Sequence, residues 1–172
     1  MSVQEFVDRY FSEAAAVSSK NLPPAFILAH AYLESGRGTS QLTVKGNNFF
    51  GIKAAPGQPH LVMLTREILN GKQVTIPQRF RKYATAKDSF KSYANLLSSN
   101  RYKKVLQANT NAARAQELKA AGYFTAGQNY VNALAKTAAN FDTAIRNRKN
   151  STIITPLILA LILAGAIVYS NK

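Results

Sequence analysis

One glutamate ends an apolar helical stretch in a chain that has few acids. The sequence has eight Asp and Glu residues, and Glu34 closes the run AFILAHAYLE before the segment that begins Ser35-Gly36. Burial raises the pKa of a carboxyl group by disfavouring its charged form, and a carboxyl that stays neutral near pH 7 can donate a proton. We predict that Glu34 has a raised pKa and acts as a general acid. The alternative is a solvated residue in the last turn of the helix.

Two other residues have types and positions that bear on this chemistry. His30 lies four residues before Glu34 on the same helical face, so it either orients the carboxylate or is a hydrogen-bonded core residue. Glu67 is the one acid between Glu34 and Asp88. It lies in LVMLTREIL, which with KQVTIPQRF flanks Asn-Gly at 70–71, a strong hairpin signal. Taken alone, Glu67 is most simply an exposed strand carboxylate paired with Arg or Lys on the facing strand.

Helices are expected to position these residues within one compact domain, residues 1–148. An amphipathic helix is predicted over residues 1–20, with Ser2 and Glu5 as a capping box. A second helix runs from about residue 23 to Glu34, and a last long one covers 126–148.

Composition limits the partners and cofactors. With 22 Lys and Arg against eight acids, the net charge of +14 favours polyanionic partners. The basic residues are spread along the chain, so charge does not choose between nucleic acid, anionic lipid and an acidic wall polymer. The absence of cysteine excludes disulfides, thiolate metal sites and thiol catalysis. Two histidines argue against a metal site of several His ligands, and we predict no metal and no cofactor.

The C-terminal segment, 149–172, differs from the rest of the chain. Residues 152–170 carry no charge, a run long enough to cross the hydrocarbon core of a bilayer as a helix. We predict a single transmembrane anchor there, in contact with a lipid bilayer. Three basic residues lie just before this run: Arg146, Arg148 and Lys149. The positive-inside rule then places the domain on the cytoplasmic side, and the N-terminus lacks the pattern of a secretory signal peptide.

Several motifs together resemble a known family. AHAYLESGRGTSQLT followed by GNNFFGIKA is similar to the signature of the glucosaminidase family of peptidoglycan hydrolases, glycoside hydrolase family 73. TREILNGKQVTIPQRFRKYATAKDSFKSYANLL resembles the family's hairpin and the helix after it, and GYFTAGQNYVNALAK resembles its closing element. Residues 2–145 are covered in all. Two positions depart from the pattern: Arg37 stands where Trp is usual, and Ala126 where a Tyr-Ala-Thr-Asp stretch has Asp.

The resemblance implies an α+β, lysozyme-like fold, with a mainly helical lobe and a small β-hairpin lobe flanking a groove. A single C-terminal transmembrane helix would follow here. Glu34 would be the catalytic acid, Glu67 the second carboxylate on a mobile hairpin, and Tyr123 the tyrosine near the acid. The predicted substrate contacts are Asn47, Asn48, Phe49 and Tyr130, the first three on the groove floor.

The implied activity is cleavage of the β-1,4 bond after N-acetylglucosamine in peptidoglycan. Glu34 would protonate the leaving oxygen. Either Glu67 then activates water, which inverts the sugar, or the substrate's own acetamido group attacks while Tyr123 orients it. The rival hypotheses are a lytic transglycosylase and a non-catalytic, basic, membrane-tethered binding protein.

The partner expected from this activity is the peptidoglycan glycan strand, with no specific nucleic acid. A wall-hydrolase signature, no export signal and a C-terminal anchor together suggest a lytic enzyme in the membrane of a lipid-containing bacteriophage. Attachment to the inner membrane until lysis is the alternative. The sequence leaves the oligomeric state open.

Overall fold

The computed structural model gives the backbone of residues 1–69 and 72–169 and the side chains of residues 1–65 and 74–148. Within these residues the elements follow in the order α1 (Val3–Val17), α2 (Pro24–Glu34), α3 (Gln41–Gly46), β1 (His60–Leu69), β2 (Lys72–Arg81), α4 (Ala86–Leu97), a 3₁₀ turn (Asn100–Tyr102), α5 (Lys103–Gln107), α6 (Asn111–Ala120) and α7 (Gln128–Tyr169). The predicted α+β architecture, mainly helical with one hairpin, is confirmed.

The predicted membrane anchor at 152–170 lies outside the residues whose side chains are described. Within residues 1–65 and 74–148, whose side chains are described, no helix combines the length and the apolar character needed to cross a bilayer.

Helix α2 is the centre of the helical lobe. Eight consecutive residues, 25–32, are buried, which is the pattern of a helix enclosed on all sides. It starts at Pro24, whose fixed φ suits the first turn of a helix. Helices α1 and α7 both pack against it. After this enclosed stretch, the last two residues of α2, Leu33 and Glu34, are partly exposed.

The packing of α1 and α7 on α2 is fixed by aromatic rings. Phe6 of α1, Tyr32 of α2 and Phe141 of α7 form a triangle with centroids 5.2, 5.5 and 5.9 Å apart, each pair edge to face. The predicted capping box of Ser2 and Glu5 starts α1 as expected.

The hairpin is attached to the helical lobe at its base. Strands β1 and β2 pair antiparallel from His60 opposite Arg81 to Leu69 opposite Lys72. The amide of Arg81 donates to the carbonyl of Ile52, and the amide of Ala54 to that of Arg79, both at 2.9 Å. Further along, Val62 and Leu64 are exposed. The predicted two-lobed shape follows, with the base of the hairpin bound to the loop after α3.

Candidate active site

Glu34 lies where α2 ends and the chain turns sharply. Gly36, Arg37 and Gly38 have φ values of 57°, 61° and 80°, the left-handed region that stops a helix. The hydroxyl of Ser35 accepts from the amide of Gly38 at 2.8 Å and closes this turn. The Glu34 side chain keeps 24% of its surface exposed, so it is partly buried and reachable from one side.

One oxygen of Glu34, Oε1, is held from within the protein. The hydroxyl of Tyr130 on α7 donates a hydrogen bond to it. Nε2 of His30, one helical turn earlier, lies 3.5 Å from the same oxygen. Tyr130, which we predicted as a substrate contact, is therefore bonded to the predicted acid itself.

These contacts overturn the prediction that Glu34 has a raised pKa. Burial does raise the pKa, and it is the largest single effect. Against it act His30, through its hydrogen-bonding contact and through the positive charge that it carries when protonated, and the hydrogen bond from Tyr130. Together they outweigh burial, so the pKa of Glu34 lies below its ordinary value. Since part of the side chain is still in water, the carboxylate also keeps some hydration.

The second oxygen, Oε2, lies next to the loop after α3. A Cβ added at Gly51 would lie 3.9 Å from Oε2, and Gly51 has a φ of 63° that favours glycine. Glycine at this position therefore keeps the space beside Oε2 free of a side chain.

Glu34 opens into a groove of about 660 Å³. One wall is the loop 50–53, continued by Phe80 at the base of the hairpin. The other wall comes from residues 101–102 and 122–123. Arg101 is fixed in this wall because its guanidinium donates to the carbonyls of Ala121 and Gly122, at 2.7 and 2.9 Å. Among the described residues, the groove is thus lined by two cations, Lys53 and Arg101, and one carboxylate, Glu34.

Tyr123, the predicted tyrosine near the acid, lines this groove, but its hydroxyl is engaged elsewhere. It donates to the carbonyl of Phe50 at 2.9 Å, and its ring lies 4.7 Å from that of His30. Burial, with smaller effects from neighbouring acidic groups, raises the pKa of Tyr123 well above its usual value. The side chain therefore stays protonated, and its oxygen is left to accept a hydrogen bond from a ligand.

Asn47, Asn48 and Phe49, predicted on the groove floor, lie beneath or away from it. Phe49 is 2% exposed and packs against Tyr10 and Phe90 at 4.8 and 5.4 Å. Asn47 donates to the carbonyls of residues 83 and 84. Asn47 and Phe49 line a separate cavity beside α1. In this structure their role is to build the loop that carries Gly51.

Asn48 organises this loop through all of its polar atoms. Its amide nitrogen donates to the carbonyls of Ile52 and Arg81, at 2.9 and 2.8 Å, and its amide oxygen accepts from the amides of Phe50 and Ile52. With 1% exposure it has no surface left for a sugar. It ties the loop to the end of β2, and a sequence motif alone could not separate this role from substrate binding.

Two further positions singled out in the sequence are Glu67 and Arg37. The backbone of Glu67 lies in β1 opposite Val74, but its side chain lies outside the described residues, so its role stays a prediction. Arg37, at the usual Trp position, is exposed, with its guanidinium 6.0 Å from the centre of the Tyr32 ring.

One functional neighbour was missed in the sequence. Tyr93 of α4 places its hydroxyl 2.8 Å from Nδ1 of His30. No sequence signal links the two, because they are 63 positions apart.

Comparisons with known proteins identify related sequences and structures. The glucosaminidase family model, described as mannosyl-glycoprotein endo-beta-N-acetylglucosaminidase, matches residues 11–143. The exo-glucosaminidase LytG of Bacillus subtilis is 36% identical over 129 residues, 71% of this chain and 46% of that protein. A probable N-acetylmuramidase of Lactococcus lactis is 30% identical over 149 residues, 82% of this chain and 34% of that protein. The chain thus spans less than half the length of either relative.

A solved structure supports the same relationship. The crystal structure of a peptidoglycan hydrolase mutant from Sphingomonas sp. A1 matches with a TM-score of 0.71 at 31% identity. The match covers 84% of this chain and 99% of that one.

The role of Asn48 can be tested by changing one amide to a carboxylate. Asn48→Asp turns its amide donor into an acceptor that faces the carbonyls of Ile52 and Arg81. We expect a loss of about 2–4 kcal/mol in the free energy of unfolding, since two buried carbonyls lose their partner. Urea unfolding measures it. Asn95→Asp, at an exposed position of α4, is the matched control and should change stability by less than about 0.5 kcal/mol. Equal stability of both variants would contradict the assignment.

Proposed function

Because the chain belongs to the glucosaminidase family of glycoside hydrolases, we propose that it cleaves the glycan strands of peptidoglycan with Glu34 as the proton donor. The observation that carries the proposal is the state of this carboxylate. It ends a buried helix, its Oε1 is held by the protein, and its Oε2 lies beside Gly51 in an open groove. That is the arrangement needed to protonate a glycosidic oxygen.

The bond cleaved is proposed to be the β-1,4 linkage after N-acetylglucosamine. The relatives' names differ on this point, one being an exo-glucosaminidase and another a probable N-acetylmuramidase. A lytic transglycosylase would need the same single acid. Products separate these chemistries, since a hydrolase that cuts after N-acetylglucosamine leaves that sugar at the reducing end and a transglycosylase leaves an anhydro-muramyl end.

The lowered pKa of Glu34 sets a condition on this mechanism. Even a glutamate of ordinary pKa, about 4.3, is protonated in only about 0.2% of molecules at pH 7. The acid must therefore gain its proton in the substrate complex. A sugar chain that fills the groove removes the remaining water from Glu34, and desolvation then raises its pKa. A second carboxylate brought close by the hairpin would raise it further.

Glu67 is our candidate for that second carboxylate, because it lies in strand β1 of the hairpin. If Glu67 lies across the groove from Glu34, it would act as a general base on a water molecule. That arrangement inverts the configuration of the sugar. In the alternative route the acetamido oxygen of the substrate attacks. Tyr123 would then accept the acetamido N–H, because its own proton is bound to the carbonyl of Phe50.

Replacing the proposed acid tests the function directly. Glu34→Gln keeps the size of the side chain and removes the transferable proton. We expect wall cleavage on zymograms to fall by about 10²–10⁴-fold, the usual contribution of a general acid, with circular dichroism unchanged. Glu13→Gln on α1, which does not line the groove, is the matched control and should be fully active. Wall cleavage by Glu34→Gln at the wild-type rate would refute the assignment.

The role of Glu67 has a pH signature. For Glu67→Gln we expect a large but incomplete fall in kcat. If the charge of Glu67 raises the pKa of Glu34 in the complex, its removal lowers that pKa. Protonated Glu34 then persists only to a lower pH, so the alkaline limb of the kcat profile should move to lower pH. A variant with the rate and profile of the wild type would instead support the acetamido route.

We also propose the site of action. Residues 152–170, uncharged and flanked by basic residues, would anchor the domain 1–148 in a bilayer, and the charge of +14 suits an acidic wall polymer. The proposed setting is the membrane of a lipid-containing bacteriophage. We expect the protein in purified virions and its loss on delipidation. Absence from virions would contradict the setting and leave attachment to the host inner membrane.

A further inference from the structure

We propose that His30 is a positioning residue, whose Nε2–H is fixed by the Tyr93 hydroxyl and holds Oε1 of Glu34, so that Oε2 is the oxygen that delivers the catalytic proton. This inference rests on the proposed role of Glu34 as the acid. It gives a role to His30 and Tyr93, two buried residues that do not line the groove.

His30 is completely buried in an aromatic enclosure. Its exposure is 0%, and rings surround it, with centroids 4.7 Å away for Tyr123, 5.4 Å for Tyr93 and 6.3 Å for both Phe50 and Phe124. Such an environment offers an imidazole few polar partners. Since buried polar atoms need hydrogen bonds, the positions of its two nitrogens are informative.

In this proposal the Tyr93 hydroxyl donates to His30 and so sets its tautomer. It lies 2.8 Å from Nδ1, and burial raises the pKa of Tyr93 well above its usual value, so the hydroxyl keeps its proton. Among the described residues, Nδ1 is the hydrogen-bond partner of this hydroxyl. If Nδ1 accepts, the hydrogen of a neutral ring lies on Nε2. A protonated ring also carries hydrogen on Nε2, so this atom is a donor in both states.

Nε2 of His30 points towards Glu34 but is too far from it for a normal hydrogen bond. The distance from Nε2 to Oε1 is 3.5 Å, at the outer limit for a hydrogen bond. By stricter geometry Nε2 is a buried polar atom with no partner among the described side chains. The contact is an attraction between a fixed donor and a carboxylate that can still move. His30 is fully buried, whereas the Glu34 side chain is partly exposed. When substrate excludes water, the attraction becomes stronger.

As a consequence, the two oxygens of Glu34 have different roles: Oε1 accepts hydrogen bonds from the protein, and Oε2 carries the proton. His30 and Tyr130 both direct hydrogens at Oε1, so a proton taken up by the carboxyl sits on Oε2, beside Gly51. In the reaction the Oε2–H bond breaks as the glycosidic oxygen takes the proton and keeps the electron pair of its broken bond to carbon. Glu34 returns to a carboxylate, and the donors on Oε1 stabilise its charge.

Loss of His30 should change the pH dependence in a defined direction. Among the residues with described side chains, the titratable and charged groups around Glu34 are His30 from α2, Tyr93 from α4, Tyr130 from α7, and Lys53, Arg101, Tyr102 and Tyr123 around the groove. His30 favours the charged form of Glu34. Without it the pKa of Glu34 rises, the protonated acid persists to higher pH, and the alkaline limb of kcat/KM moves to higher pH.

Two substitutions in the full-length chain separate the hydrogen bond from simple packing. His30→Leu removes the donor, and we expect kcat to fall about 10–100-fold through misorientation, with KM within about threefold of the wild-type value and the alkaline limb moved to higher pH. His30→Gln supplies an amide N–H of similar reach and should restore kcat to within about fivefold of wild type. His60→Gln, at the base of the hairpin, is the control for the other histidine.

Two outcomes in folded protein would overturn the proposal. One is wild-type kcat and pH profile in His30→Leu, and the other is a His30→Gln variant as impaired as His30→Leu. A measurement that needs no substitution of His30 is ¹⁵N NMR of the ring nitrogens, which the presence of only two histidines keeps simple. Nε2 protonated and Nδ1 unprotonated in the neutral ring is the expected result, and the opposite tautomer would overturn the proposal. This readout is independent of catalysis, so it stands even if Glu34→Gln proves active.

Discussion

The structure depends on the convergence of hydrogen-bond donors on Oε1 of one carboxylate. Tyr130 donates a hydrogen bond from α7, and Nε2 of His30 on α2, whose Nδ1 contacts the Tyr93 hydroxyl of α4, lies 3.5 Å from the same oxygen. Three helices must therefore pack correctly for Glu34 to have its observed surroundings. The donors compensate for the burial of a charge, which is otherwise costly. They also lower the pKa of Glu34 in the open groove, and in the proposed mechanism the carboxylate gains its proton when substrate covers it.

The loop 47–53 connects this carboxylate to the hairpin. Asn48 bonds both to the carbonyl of Ile52 and to that of Arg81 at the end of β2, and the same loop brings Gly51 next to Oε2. The free space beside the acid and the base of the hairpin are thus fixed by one buried amide. If Glu67 does approach the groove, it does so from a strand whose base is bound to this loop.

Much of this could be predicted from the sequence, but not the environment of the acid. The run AFILAHAYLE identifies a buried helix that ends in Glu34, and the two runs that flank Asn-Gly predict β1 and β2. The pKa prediction was wrong because a local pattern reports burial and not donors from distant residues, and Tyr130 is 96 positions from Glu34. For Asn48 and Phe49 the motif was informative, but residue type does not reveal that both side chains point inward.

The central claim is that Glu34 is ionised in the open groove and protonated when substrate fills it. Carboxyl ¹³C NMR of Glu34, identified by the signal lost in Glu34→Gln, tests this directly when titrated with and without a peptidoglycan glycan fragment. We expect a pKa below the ordinary glutamate value in the free protein and a clear rise in the complex of an inactive variant that retains Glu34. A raised pKa in the free protein, or no change on binding, would contradict the account.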